Sequence, residues 1–457
     1  MSGHALYQRR PSGALLWVTR VLIIVQNLPV PFDRRVWLEC QALASEGYEV
    51  AVVCPKGDGD PSYEVIDTVE LYKYRPYAPG GSKFSFIMEY VYSFLATARL
   101  TFKARRSGRF DIIQACNPPD IFWPIALLLR GVDRSRFVFD HHDLCPELYE
   151  SRFPGGPKLP HKGLLMLERN THRFADHVIA TNESYRNMAL TRGHKAIGDV
   201  TIVRTGPDPW QLRRSEPVPE LRRGRRFLAA YIGVMGPQDG VDIVVRQLGR
   251  EDIAFTLIGS GDCYADLVAL RDELNLADYV EFTGRVPDED VQRILSTADV
   301  GLSPDPKNPL NELSTMNKSM EYMAFELPVI AFDLRETRVS VGQAGVYVAS
   351  GDVRDYAEAV VALLDDEPRR SRMGKLGRAR VEQKLAWSHQ RRAYLDVYRS
   401  LLGDRAPAGR AGAQEHSNEG RSEAADGQEL VDTTSDRTAQ GAGDATDGAQ
   451  STARRTN

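Results

Sequence analysis

Short continuous apolar runs alternate with helical stretches along most of the chain. Val21 to Val25 is apolar throughout and is bounded by Gln26-Asn27 and two prolines, the pattern of a strand buried on both faces. Asp33 predicts the cap of a helix running to about Ser45, Gly47 ends it, and Glu49 to Cys54 reads as a second buried strand. This βαβ opening predicts a parallel, doubly wound sheet. Asp111 to Ala115, Arg136 to Asp140 and His177 to Ala180 continue it, alternating with helices at Asp120 to Arg130 and Leu164 to Phe174, and Val200 to Gly206 closes it. Residues 209–226, rich in Arg and Pro and without apolar periodicity, read as a linker. The pattern then repeats: Phe227 to Ile232, Ile253 to Ile258, Asp299 to Leu302 and Val329 to Phe332 are strand-like, with helices at Val353 to Leu364, Arg369 to Lys384 and Trp387 to Leu402. The expected organisation is α/β with two Rossmann-like domains, 20–208 and 227–386. A flexible 1–19 precedes them, and a helix 387–402 and a disordered tail 403–457, almost free of bulky apolar residues, follow.

Composition sharpens this picture. A chain of 457 residues, 42% hydrophobic and 26% charged, suits two cored domains plus extras. Its net charge of −4 hides an uneven distribution, since residues 1–200 carry 25 Lys+Arg against 21 Asp+Glu. That mild excess fits an anionic surface or acceptor and falls far short of a nucleic-acid binder, so no nucleic acid is expected. Five widely spaced cysteines without a Cys-x-x-Cys pair signal a reduced, cytoplasmic setting rather than zinc or a disulfide framework. Arg9-Arg10 before Leu15, Leu16 and Val18 resembles an export signal, but Arg20 interrupts the apolar run and no small-residue cleavage site follows. Phe84 to Phe102 is aromatic at helical spacing and ends in Arg99, Lys103, Arg105 and Arg106. A core helix with a solvated basic end explains it, and so does a peripheral contact with anionic membrane at its inner face.

Candidate chemistry gathers at strand ends. Gly-x-Gly-x-x-Gly is absent after the first strand, which argues against a nicotinamide site. The stretch Leu310 to Asp333 starts as a polar loop and becomes a helix at Ser314 or Thr315, whose hydroxyls can cap it and leave the amides of Met316 and Asn317 open to an anion. Lys318 and Glu321 share one face of that helix, an ammonium for phosphate and a carboxylate for a ribose diol, although an ordinary amphipathic helix looks the same. The loop from Gly233 through Gly236 to Gly240 and the turn Gly259-Ser260-Gly261-Asp262 allow close backbone approach. Asp140-His141-His142-Asp143 places two imidazoles in an acid-flanked turn.

Leu310 to Asp333 resembles the donor-binding motif of family 4 retaining glycosyltransferases. In that motif a Glu, seven residues and a second Glu precede a triplet like Ala-Met-Ala and a Pro-Val strand. Glu321-Tyr322-Met323-Ala324 fills the second half; Leu313 stands where the first Glu belongs, with Glu312 one place earlier. Asp140 to Glu147 resembles the family's Asp-x-His-Asp-x-x-Pro-Glu signature, and Val280-Glu281-Phe282-Thr283-Gly284-Arg285-Val286 the stretch bordering the nucleobase. Gln114 and Cys116 stand where relatives often have His-x-His, and the 233–240 loop lacks the family's Arg and Lys.

The resemblance implies the GT-B fold, with residues 387–402 crossing back over the first domain, and a retaining, metal-independent transfer of a hexose from a nucleoside diphosphate, UDP, to a glycan or lipid-linked acceptor in cell-surface polysaccharide or glycolipid synthesis. The nucleotide-sugar is the co-substrate and no further cofactor is expected. It implies His142, Lys318 and Glu312 as catalytic candidates. Gly236, Gly240, Gly259, Gly261, Arg285, Val286, Thr315, Met316, Asn317 and Glu321 fall on the donor side, and Asp33, Arg35 and Asp143 on the acceptor side. Two alternatives stay open, a non-hydrolysing sugar-nucleotide epimerase and a catalytically silent GT-B scaffold subunit. Removing Lys318 or Glu321 is expected to weaken nucleotide binding without unfolding the chain.

Overall fold

The structure, a computed structural model, describes residues 19–77, 83–246, 251–349 and 351–407. The Arg9-Arg10 segment and the tail beyond 407 lie outside them. Eight strands form the first sheet: β1 Arg20–Ile24, β2 Glu49–Pro55, β3 Tyr63–Ile66, β4 Val69–Tyr74, β5 Ile112–Cys116, β6 Arg136–His141, β7 His177–Ala180 and β8 Val200–Ile202. Their order is β3-β4-β2-β1-β5-β6-β7-β8, parallel except for the antiparallel β3–β4 pair. Six parallel strands form the second sheet: β9 Phe227–Ile232, β10 Ile253–Ile258, β11 Val280–Gly284, β12 Val300–Ser303, β13 Val329–Phe332 and β14 Gly345–Val348, in the order β11-β10-β9-β12-β13-β14. The fold is therefore the predicted pair of doubly wound domains.

The apolar runs are strands because helices cover both faces of each sheet. In the first, helices Arg34–Ser45 and Trp387–Leu402 pack on one side, with Tyr394 and Tyr398 fully buried, and Lys83–Arg105 and Trp123–Asp133 pack on the other. The hairpin β3–β4 was not anticipated. Asp67 and Thr68 form its two-residue turn, both with positive φ (48° and 72°), the twist such hairpins need but here without the glycine that usually announces it.

The linker is tied down through its arginines. Arg222 pairs with Asp299, Arg223 donates to the carbonyls of Phe255 and Tyr279, and Arg214 reaches the carbonyl of Ser296. Helix Glu367–Arg380 and the wide turn Val381–Leu385 then lead back to the first sheet, where Trp387 N donates to Pro207 O. A Cβ on Gly206 would lie 1.8 Å from the carbonyl oxygen of Leu385, so only glycine fits this crossing. The first residues assigned to the tail pack instead: Thr19 Oγ1 donates to Arg405 O, and Arg405 lies 3.6 Å from Asp111. Among the described residues no helix is long and apolar enough to cross a membrane.

Topology selects the site. Strand order reverses beside β1 and β5 in the first sheet and beside β9 and β12 in the second, and ligands of such sheets bind at the carboxyl ends of those strands.

Candidate active site

At the end of β6 the His142-Asp143 turn is held by Asn117, from the loop after β5. Its Oδ1 accepts from the amides of His142 (2.7 Å) and Asp143 (3.1 Å), and its Nδ2 donates to Asp143 O (2.6 Å). His142 Nε2 lies 2.7 Å from Asp140 Oδ2 and 2.9 Å from Arg35 Nε. Arg35 Nε, which can only donate, points its hydrogen at His142 Nε2 and also lies 3.1 Å from Glu39 Oε1. Burial opposes ionisation of Asp140, but Arg35 and His142 hold its pKa well below the usual carboxylate range. Burial and Asp140 push Glu39 well above its range, against the pull of Arg35. Burial likewise raises Asp143 to about 6, against His142 and Arg152.

Two expected acceptor residues do other work in this structure. Arg35 is buried and saturated, bonding Asp140, Val203 O and Thr205 Oγ1, which makes it a brace beneath His142. Asp33 accepts from Val36 N as the helix cap. The Gln114 that replaces a family His donates to Glu39 (2.7 Å) and Asp140 (3.0 Å) and accepts from the hydroxyls of Tyr394 and Tyr398, so the crossover helix is wired into the same network.

Across the cleft, helix Asn317–Ala324 starts later than predicted. Met316 is its cap residue and no side chain caps it. The two hydroxyls expected to do so face the first domain, where Ser314 Oγ bonds Tyr185 OH (2.9 Å) and Thr315 Oγ1 accepts from Asn182 Nδ2 (3.1 Å). Asn182 also donates to Leu313 O, and Ser184 donates to Glu336. These cross-domain bonds explain the shift, because a hydroxyl spent on the other domain cannot cap its own helix. Leu310 and Leu313 pack into the first domain's core, which gives the leucine at the family's Glu position a packing role.

Lys318 sits at the centre of the second domain's strand ends. Its Nζ lies 2.6 Å from Asp305 Oδ1, 3.8 Å from Asp239 Oδ1 and 4.9 Å from the ring centre of Tyr231. Burial favours the neutral amine, but Asp305, Tyr231 and Asp239 raise its pKa well above the ordinary lysine value. Glu321, one turn on, faces Arg34 of the first domain at 3.6 Å, and Arg34 also pairs with Asp288. Burial raises the Glu321 pKa, which Arg34 opposes.

The glycines are accounted for by packing between loops. Gly259 has φ +131°, and a Cβ there would meet Gly233 O at 1.9 Å; the same atom on Gly261 or Gly240 would meet the backbone of Met235 or Pro304. Gly236 N donates to Asp239 Oδ2, fixing the loop that carries the aspartate toward Lys318. Arg285 bonds Ser260 Oγ and lies over the ring of Phe32. Val286 lines a pocket of about 380 Å³ between β11 and helix Asp288–Thr297. Glu312 stands apart in the turn before the helix, 3.5 Å from Lys307 Nζ. The structure thus brings His142, Asp143 and Arg35 together on one side and Lys318, Glu321 and the glycine loops on the other. Asp305 and Asn182 belong to the arrangement but carry no local sequence signal.

Two family descriptions match this chain, "Glycosyltransferase Family 4" over residues 33–211 and "Glycosyl transferases group 1" over residues 226–366. Together they span more than half of it. The chain belongs to the family 4 glycosyltransferases. A GDP-mannose-dependent monoacylated alpha-(1-6)-phosphatidylinositol monomannoside mannosyltransferase of Corynebacterium glutamicum is 29% identical over 160 residues, 33% of this chain and 41% of the relative. A D-inositol 3-phosphate glycosyltransferase of Mycolicibacterium smegmatis is 28% identical over 187 residues, 39% of this chain and 41% of the relative. These matches span less than half of either relative's length. Sucrose-phosphate synthase of Thermosynechococcus elongatus superposes with a TM-score of 0.70 at 19% identity, covering 84% of this chain and 100% of that one. HepE of Anabaena, solved with UDP and glucose, gives 0.64 at 15% identity with the same coverage. These likenesses place this family 4 glycosyltransferase in the GT-B fold.

Proposed function

We propose that this chain is a retaining, metal-independent hexosyltransferase that takes its sugar from a UDP-linked donor and passes it to a glycan or lipid-linked acceptor. The observation that carries the reading is the facing pair of strand ends, with Lys318 and Glu321 on one helix of the second domain and His142, oriented by Asp140 and Asn117, on the first. Lys318 has three donor hydrogens; Asp305 takes one, and another is available to a diphosphate oxygen. Glu321 accepts from a ribose diol once Arg34 swings aside. The amides at the start of helix Asn317–Ala324 and the Lys318 ammonium stabilise charge on the departing diphosphate. His142 steadies the donor sugar, and a donor phosphate oxygen takes the acceptor proton as the new bond forms on the same face. The family supports transfer as the chemistry, the HepE complex supports UDP, and the mannosyltransferase relative supports GDP as the rival nucleotide.

A lipid-linked acceptor at the inner membrane face is supported by helix Lys83–Arg105. Val91, Tyr92, Leu95 and Phe102 are exposed along it at helical spacing, and Arg99, Lys103 and Arg106 lie at its end. Arg105 does not share in that basic end, because its guanidinium is bidentate on the nearly buried Asp133.

The test is turnover with UDP- and GDP-hexoses, without added metal and again in EDTA, with and without lipid extract, reading release of the diphosphate and the anomeric configuration of the product. Transfer with retention from a UDP-sugar supports the proposal. An inverted product or no turnover of any donor sinks it, and epimer formed from donor alone moves the chain to the epimerase reading.

A further inference from the structure

A second cluster of ligating side chains lies outside the site above. His141 ends β6, and Glu168 and His172 sit one turn apart on helix Lys158–Phe174, a spacing that puts both on one face. One nitrogen or oxygen from each lies within 4.8 Å of the other two, and His141 Nε2 is 3.7 Å from Glu168 Oε1. All three residues are fully buried. Among the described residues no group hydrogen-bonds any of the four imidazole nitrogens of His141 and His172. Buried ring nitrogens are costly when unpaired, and two neighbouring histidines in that state point to a group that fills the space between them.

The rings are fixed by packing. Phe139 stacks on His141 and meets His172 edge-on, both at 5.0 Å between centres, and Tyr185 lies 5.2 Å from His141. Gly193 has no side chain where a Cβ would stand 2.7 Å from His172 Cγ, so the backbone makes room for this ring. Charge points the same way. Arg192 is shared between Glu168, at 2.5 and 2.6 Å, and Glu147, at 2.5 and 3.1 Å, which leaves one guanidinium against two carboxylates. We propose that His141, Glu168 and His172 bind one divalent transition-metal ion of the zinc class.

Two imidazoles and one carboxylate are a recurrent zinc donor set, with water completing the shell. A carboxylate has about four lone-pair positions, so Glu168 can accept from Arg192 and ligate the ion together. The ion would cross-link the end of β6 to helix Lys158–Phe174 one residue before His142 and balance the surplus carboxylate charge. It lies off the reacting groups and serves the fold, so it stands whether or not the proposed transfer is correct.

The test uses the full chain expressed without a polyhistidine tag in zinc-supplemented medium. Elemental analysis should find about one zinc per chain, 1,10-phenanthroline should remove it and lower Tm, and zinc should restore both. Cobalt substitution should give the visible bands of a nitrogen/oxygen site. His172→Gln and Glu168→Gln should lose the metal, and His161→Gln, on the same helix but outside the cluster, should keep it. If the glutamine variants do not fold, the cobalt spectrum of the wild type decides. Metal far below stoichiometric in the wild type, with Tm unmoved by chelator and by zinc, would overturn the proposal and leave buried water as the occupant.

Discussion

Lys318→Ala separates two roles of one residue. Lys318 and Asp305 are both buried, with side chains 10% and 1% exposed and 2.6 Å between Nζ and Oδ1. Removing the ammonium leaves Asp305 with Ser303 Oγ as donor at 2.5 Å and weakens the hold on Asp239. Breaking a buried pair from one side costs about 3–5 kcal/mol, and the Ser303 bond puts this one near 3. For a domain of this size that is roughly 6–12 °C of Tm. The variant should therefore be distinctly less stable while still folding. The double variant Lys318→Met/Asp305→Asn removes both charges and should recover all but about 1 kcal/mol. UDP affinity should not recover, because a charge-assisted hydrogen bond to phosphate contributes about 1.5–3 kcal/mol, roughly ten- to a hundred-fold, and is missing from both variants. Urea melts and calorimetry read the two effects separately. Lys318→Ala melting with the wild type would refute the buried clamp, and a double variant binding UDP normally would remove Lys318 from the diphosphate.

Other predictions follow from single contacts. Gly259→Ala places a Cβ 1.9 Å from Gly233 O at φ +131°, so a loss of more than about 2 kcal/mol in urea unfolding is expected, and a neutral outcome would contradict the loop packing. Gln114→Leu strips partners from Tyr394, Tyr398, Glu39 and Asp140 and should cost about 2–4 kcal/mol, whereas Gln114→His should be milder. Changing Arg99, Lys103 and Arg106 to Gln should cut sedimentation with anionic vesicles at low salt, at about 1 kcal/mol per charge. Arg105→Gln should instead lower stability by stranding Asp133, and equal vesicle binding by the wild type and the triple variant would leave a soluble acceptor.

What the sequence disclosed depended on how local the cause was. The sheets were legible because parallel strands covered on both faces are written as unbroken apolar runs, so β1, β2, β9 and β13 came within a residue or two of their observed limits. The β3–β4 hairpin was not, because its partly exposed strands lack such a run and its turn has no glycine. Helix Lys158–Phe174 read short because Pro160 and Gly163 look like breakers, yet a proline in the first turn loses no hydrogen bond. At the site, the residue types were visible and their partners were not. Ser314 and Thr315 look like caps until Tyr185 and Asn182, some 130 positions earlier, claim their hydroxyls. The glycine loops read as phosphate cradles, and the structure shows that packing against neighbouring loops already requires them.

The proposed function requires a nucleoside-diphosphate donor at the carboxyl end of the second sheet, with Glu321 on its ribose. Titration of UDP and GDP into the wild type and Glu321→Ala by calorimetry, without added metal, tests this. Saturable one-site binding of UDP, weakened about ten- to a hundred-fold in the variant, is the predicted result. Equal affinity in both proteins, or no binding of either nucleotide to the wild type, would contradict it.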